Sequence, residues 1–274
     1  MFKSCWPLAG IFLAVVFFSN ASLAQSSVYI EELTTQEVSA AIKAGKTTVL
    51  IPIGGTEQNG PHMAIGKHNV RAKALAGKIA AQLGNALVAP VLSYTPEGNI
   101  DPPTEHMGFA GTISIPDDTF KAVLVGAARS FQKHGFTDVV LLGDSGNYQK
   151  LLASAAEQFA RGTSGAKARL ATRFHYLPEY YRATQTAYLD ALRAKGLTPQ
   201  EIGTHAGSAD TSLLMAIDAA LVKPERFAEA VRLGKGGGTS GDPRAASATN
   251  GQLGVDAVVK MSVEAIKKAT GTPK

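Results

Sequence analysis

Between residues 54 and 69 the chain gathers Glu57, Asn59, His62 and His68 on a loop broken by glycines. It runs Gly54-Gly-Thr-Glu57-Gln-Asn59-Gly-Pro-His62 and then Lys67-His68-Asn69. Carboxylate, amide and imidazole donors packed this closely suit hard or borderline divalent ions. The same loop also reads as a polar connection in which His68 or Asn69 caps the next helix. A second group, Gly143-Asp144-Ser145-Gly146-Asn147, sets an acid directly after a buried apolar run. It reads equally as the edge of an active site and as a helix cap. In a third, Thr204-His205-Ala-Gly-Ser208-Ala-Asp210-Thr-Ser212, His205 and Asp210 can enter one cleft, or Asp210 and Ser208 can cap the helix that follows. A fourth, Thr104-Glu105-His106-Met-Gly-Phe109-Ala-Gly-Thr112, puts a histidine close to Asp101 and Glu105. His134 is explained by the dipole of a helix C-terminus. His175 has no partner legible in the sequence, and both stay outside the candidate site.

These groups need a scaffold that brings them together. Thr48-Val-Leu-Ile-Pro-Ile-Gly54 and Asp138-Val-Val-Leu-Leu-Gly143 are short, apolar and stopped by glycine, as buried strands are. Further strands are expected over 86–94, 112–115 and 168–176. Helices are expected over 70–83, from Asp117 or Asp118 to His134, over 148–161, 181–195, 212–221, 224–233 and 255–269. Strands alternating with helices imply a three-layer α/β/α arrangement around a mostly parallel sheet. Such sheets bind ligands beyond the carboxyl ends of their strands, which is where the loops after Gly54 and Gly143 lie. Residues 234–254, rich in Gly, Ser and Thr, read as one long loop.

The chain has 274 residues, 45% of them hydrophobic and 18% charged, a composition too apolar to stay disordered. One domain over 25–274 is expected, since no linker divides it. Residues 1–24 carry Lys3, an apolar run from Leu8 to Phe18 and the small-residue stretch Ser22-Leu-Ala24, the pattern of a cleaved secretory leader. A membrane anchor is the alternative, but the run is short for a span of about 20 residues. The expected location is therefore periplasmic or secreted, with no membrane attachment after cleavage. Cleavage would remove Cys5 and Trp6, the chain's one cysteine and one tryptophan, leaving no disulfide and no thiolate ligand. The formal charge of +5 is scattered and shows no interleaved aromatics, which argues against a nucleic-acid partner.

Taken in order, the motifs resemble those of the creatininase family. These are Gly55-Thr-Glu57-Gln-Asn59-Gly-Pro-His62, then Glu105-His106 with Phe109-Ala-Gly111-Thr112. Leu142-Gly-Asp144-Ser-Gly-Asn147 follows, then His205-Ala-Gly207 with Asp210-Thr211-Ser212, and Gly241-Asp-Pro-Arg-Ala245. The resemblance runs from about residue 30 to about residue 265. It implies a creatininase-like α/β/α domain, a homo-oligomer and a divalent metal pair at the strand ends. It also implies hydrolysis of a small non-peptide, possibly cyclic, amide C–N bond by a metal-activated water. By the same resemblance Glu57 is a retained metal ligand, and Asn59, His68, Asp144 and Asp210 stand where the family has His, Asp, His and Glu. Each replacement keeps a donor atom. The expected ligand set is Glu57, His68, Asp144, Asp210 and Asn59, holding one ion rather than two, zinc or manganese with iron as a third option. Loss of a bridging carboxylate at His68 disfavours a pair. His205 and Glu57 are the expected catalytic residues, and His62, His106 and Asn147 the expected supporting or substrate-binding ones. The competing expectation is a periplasmic protein that binds a small molecule on the same fold without catalysis. Ester or lactone hydrolysis is not separable from amide hydrolysis at this level.

Overall fold

The computed structural model describes residues 27–161 and 172–271. The leader expected at 1–24 and the first residues of the strand expected at 168–176 lie outside the described residues. Four parallel strands form the sheet: β1 (Thr48–Ile53), β2 (Ala86–Val88), β3 (Asp138–Gly143) and β4 (Arg173–Tyr176), in the order β2-β1-β3-β4. β1 and β3 sit in the middle and are buried along their whole length. Their alternate residues therefore feed two cores. Leu50, Val140 and Leu142 face one layer, and Val49, Ile51, Val139 and Leu141 face the other. This explains why both strands are continuous apolar runs rather than alternating ones.

The helices are α1 (Thr35–Lys43), α2 (Lys67–Leu83), α3 (Asp117–His134), α4 (Gln149–Arg161), α5 (Glu179–Gln185), α6 (Ala187–Ala194), α7 (Pro199–Ile202), α8 (Ser208–Asp218), α9 (Phe227–Leu233) and α10 (Ala248–Thr270). α3 and α4 supply Phe120, Leu124 and Leu152 to one core, while α2, α6, α8 and α10 supply Leu75, Leu192, Leu213 and Val258 to the other. Among the described residues no helix is long and apolar enough to cross a membrane.

Several expectations shift at their edges. Helix α2 begins at Lys67, three residues ahead of the expected start, which brings Lys67 and His68 into its first turn. The strand expected over 86–94 is regular only to Val88. The one expected at 112–115 is reduced to isolated bridges, Thr56 to Ile113 and Thr95 to Ser114. The helix expected over 181–195 is two helices, broken at Thr186. The expected loop 234–254 contains the first turns of α10. Ser247 caps this helix by accepting from the Asn250 N–H, and Gly251 and Gly254 lie inside it. Their role is close approach rather than flexibility: a Cβ on Gly251 would lie 1.8 Å from the Ser212 carbonyl of α8.

Candidate functional site

The carboxyl ends of β1 and β3 open into a cleft of about 200 Å³, lined among others by Glu57, Lys67, Arg71, His106, Asp144 and His205. Chain geometry carries Glu57 there directly. β1 ends at Ile53, and Gly54 lets the chain turn against the start of α2, where a Cβ would meet Asn69 Oδ1 at 2.1 Å. Asn69 fixes that turn by accepting from the Gly55 N–H at 3.0 Å. Glu57 is 1% exposed. Its Oε1 accepts from His68 Nε2 at 2.9 Å, with the Lys67 ammonium 3.6 Å away, and its Oε2 lies 3.4 Å from His106 Nε2. Burial raises the Glu57 carboxyl, but His68, Lys67 and His106 outweigh burial and hold it well below the usual carboxylate range.

Asp144 follows β3 immediately. Its Oδ2 receives His68 Nδ1 at 2.6 Å and Arg71 Nε at 2.9 Å, and its Oδ1 receives the Tyr180 hydroxyl at 2.9 Å. The loop behind it is pinned by Tyr148, whose buried hydroxyl accepts from the Asp144 and Ser145 N–H groups at 3.1 and 3.0 Å and lies 2.9 Å from the Ile53 carbonyl. Asp210, in the first turn of α8, accepts from Arg71 Nη1 at 2.8 Å, from the Ala206 N–H at 3.0 Å and from Lys67 Nζ at 3.3 Å. Burial works against its charge, and Lys67 with Arg71 more than reverses this.

The metal-ligand set expected from the sequence is therefore redistributed. Three of its five members, His68, Asp144 and Asp210, have both of their ligand atoms engaged with protein groups. Both ring nitrogens of His68 are hydrogen-bonded to carboxylates, to Glu57 and to Asp144. Burial and Lys67 oppose protonation of that ring, but the Glu57 charge and the two hydrogen bonds prevail and raise its pKa. Asp144 and Asp210 are paired with Arg71 and Lys67. Asn59 is fully buried and donates Nδ2 to the carbonyls of Glu57 and Ala64 at 2.9 and 3.3 Å, while its Oδ1 has no hydrogen-bond partner. Of the five, Glu57 belongs to the group of His and Glu ligand atoms that, among the described residues, lie close enough to hold an ion.

That group is Glu57, His106 and His205, whose ligand atoms all lie within 4.8 Å of one another. The histidines arrive from two separate loops, their rings 4.9 Å apart. His205 Nε2 lies 3.0 Å from the Gln58 carbonyl. The Gln58 side-chain Nε2 lies 3.1 Å from the same ring nitrogen, and His205 Nδ1 lies 3.8 Å from Glu57 Oε1. Burial, reinforced by Lys67, pushes the His205 pKa down to about 4 and keeps the ring neutral. Gln58 Oε1 accepts from the Gly60 N–H, so its Nε2 faces His106 Nδ1 at 3.1 Å. Two non-glycine residues have a positive φ among the described residues, Glu105 at 50° and Ala206 at 55°. One precedes His106 and the other follows His205. Such conformations cost about 1–3 kcal/mol each and persist where the surroundings impose them, often at functional sites.

The remaining expected residues take supporting places. His62 is fully buried behind the site, its Nε2 3.1 Å from Thr211 Oγ1 and its ring edge-on to Phe227. Asn147 lines the cleft and donates Nδ2 to Glu97 Oε2 at 2.8 Å. Glu97 itself was not singled out in the sequence. It is fully buried beside Glu57, and burial followed by the Glu57 charge raises its pKa to about 7. Lys67 and Arg71 were also missed, although their spacing of four puts them on one helix face one turn apart.

A family model described as "Creatininase: Creatinine amidohydrolase" matches residues 31–266. The chain is 37% identical over 113 residues to a mycofactocin precursor peptide peptidase of Mycolicibacterium smegmatis, a match spanning 39% of this chain and 43% of that protein. With a mycofactocin precursor peptide peptidase of Mycobacterium ulcerans it shares 26% over 278 residues, 93% of this chain and 98% of that one. With a creatinine amidohydrolase of Pseudomonas putida it shares 31% over 125 residues, 45% and 46% of the two chains. Among solved structures, a manganese form of creatininase superposes with a TM-score of 0.73 at 24% identity, covering 89% of this chain and 99% of that one.

Proposed function

Since the chain belongs to the creatininase family, we propose that it is a hydrolase of a small amide C–N bond, working with one divalent ion on Glu57, His106 and His205. The observation that carries this reading is the convergence of those three side chains in one cleft, with each histidine next to a residue of positive φ. Zinc or manganese suits one carboxylate and two imidazoles. When bound, such an ion polarises a carbonyl and acidifies water. The chain's own residues do the rest. Gln58 orients both imidazoles, and the Glu57 carboxylate supplies negative charge in a place closed to water. Asp144, Asn147, Tyr181 and Tyr188 shape the walls. A cleft of about 200 Å³ suits a small polar substrate better than an extended peptide.

The test is turnover by protein loaded with zinc or manganese, assayed on cyclic amides, lactones and a short peptide, with Glu57→Gln and His106→Ala as controls. Cyclic amide turnover lost in both controls supports the reading. Turnover of the peptide alone would reject the small-substrate part of it.

A second reading, a non-catalytic small-molecule binder, is favoured by one observation. Three of the five expected ligand positions, His68, Asp144 and Asp210, are engaged in hydrogen bonds and ion pairs within the protein. Failure of the folded protein to take up metal would favour it. Export by cleavage of residues 1–24 and homo-oligomerisation belong to the same proposal. N-terminal sequencing of the secreted protein and its size in solution test them: an intact N-terminus or a monomer would count against each in turn.

A further inference from the structure

Buried carboxylates require counter-charge, from metal ions or from the protein itself. At this cleft the chain provides the buried Glu57 and Asp144 and the quarter-exposed Asp210, within reach of one another's partners, with the buried Glu97 beside Glu57. Into that group α2 inserts Lys67 and Arg71, which are 1% and 2% exposed. The Lys67 ammonium lies 3.3 Å from Asp210 and 3.6 Å from Glu57. The Arg71 guanidinium spans Asp144 and Asp210, with contacts of 2.8 Å to each. His68 sits between the same two helix positions and holds Glu57 to Asp144.

The placement is locally unfavourable. Helix N-termini favour acids and disfavour cations, yet α2 opens Lys67-His68-Asn69-Val70-Arg71 with no acid in its first turn. A choice that violates the local rule points to a demand from elsewhere in the fold, and the three carboxylates are that demand. An ion placed among them would meet Lys67 and Arg71 at contact distance and find no free nitrogen on His68.

Building on the one-ion reading above, we infer that Lys67 and Arg71 perform, from within the chain, the charge-balancing work of a second metal ion, so that the site accepts one divalent ion and excludes another. The metal pair that the family resemblance implies does not fit these residues. The two side chains keep the cleft walls in place whether or not metal is supplied. Lys67 and Arg71 both line the cleft.

The experiment compares wild type, Lys67→Met and Lys67→Arg after equilibration with excess manganese(II) or zinc(II) and removal of the unbound metal. Ions per chain are measured by elemental mass spectrometry, and melting is followed with and without chelator. Met keeps the unbranched length of Lys and removes the charge. Lys67→Met is expected to hold one ion more than wild type and to melt markedly higher with metal than with chelator, whereas Lys67→Arg keeps the wild-type count. Two ions on wild type would overturn the inference whatever the variants do. So would a folded Lys67→Met that binds no more than wild type. The two readings separate cleanly. A wild type without metal beside a Lys67→Met that binds one ion would remove the hydrolase reading and keep this one. One ion on both would do the reverse.

Discussion

His68 Nδ1 and Asp144 Oδ2 stand 2.6 Å apart, both buried. These are the two positions where the resemblance implies an exchange of ligand types, His for Asp at one and Asp for His at the other. The exchanged residues meet each other. A swap that would leave two unrelated donors at separate ligand positions instead makes a hydrogen-bonded pair, closed by Arg71 and Tyr180 on the Asp144 side and by Glu57 on the His68 side.

Arg71 is the member whose loss leaves the most behind. Arg71→Leu leaves Asp144 to His68 and Tyr180 and the quarter-exposed Asp210 to Lys67, and breaking a buried pair from one side costs up to about 3–5 kcal/mol. Urea unfolding at pH 7 is expected to show that loss, and pairing Arg71→Leu with Asp144→Asn should recover part of it. Strictly additive losses would show that the pair does not interact.

Tyr148 ties the end of β1 to the loop that carries Asp144. Tyr148→Phe removes the acceptor for two buried N–H groups and is expected to cost about 1–3 kcal/mol. Because those N–H groups belong to Asp144 and Ser145, hydrogen exchange at these two amides should accelerate more than elsewhere. Unchanged protection there would assign the hydroxyl no role in holding the loop.

Stability should fall in mild acid. Burial, then Lys67, holds His62 down at about 4, and His205 is likewise held at about 4. The unfolded chain takes up these protons near pH 6.5, while the folded chain resists until about pH 4. The stabilisation is therefore full above pH 6.5 and is lost as the pH drops toward 4. The urea midpoint should decline across that window, and His62→Gln, which keeps a side-chain partner for Thr211, should decline less steeply. Parallel curves for the two proteins would contradict the assignment.

Glu97 works in the opposite sense. Its folded pKa of about 7 lies above the ordinary carboxyl value, so its contribution is present below about pH 4.5 and lost as the pH rises through 7. Glu97→Gln should raise the midpoint at pH 8 and change it little at pH 4.5. Equal effects at both pH values would show that the carboxyl is not protonated in the fold.

How much of this was legible depends on what each residue answers to. β1 and β3 read correctly because burial on both faces leaves a continuous apolar run. The start of α10 did not, because Gly251 and Gly254 look like loop residues until the close approach of α8 is known. The break at Thr186, where φ is −125° and ψ −91°, is marked by no Gly or Pro in the sequence. Glu57, His106 and His205 were visible as donors on loops, and the structure brings them together. Lys67 and Arg71 were invisible for a physical reason. Side chains that cannot ligate metal are set aside when donors are sought, and it takes the folded chain to show a cation lying among the carboxylates.

The central claim is one ion on Glu57, His106 and His205, with built-in cations where a second would lie. Elemental mass spectrometry of the wild-type protein, purified without chelator or affinity metal and then equilibrated with manganese or zinc, tests it most directly. One equivalent per chain, lost in Glu57→Gln, is the expected result. Two equivalents would contradict the role of Lys67 and Arg71, and a folded protein that takes up none would contradict the metal-dependent hydrolase itself.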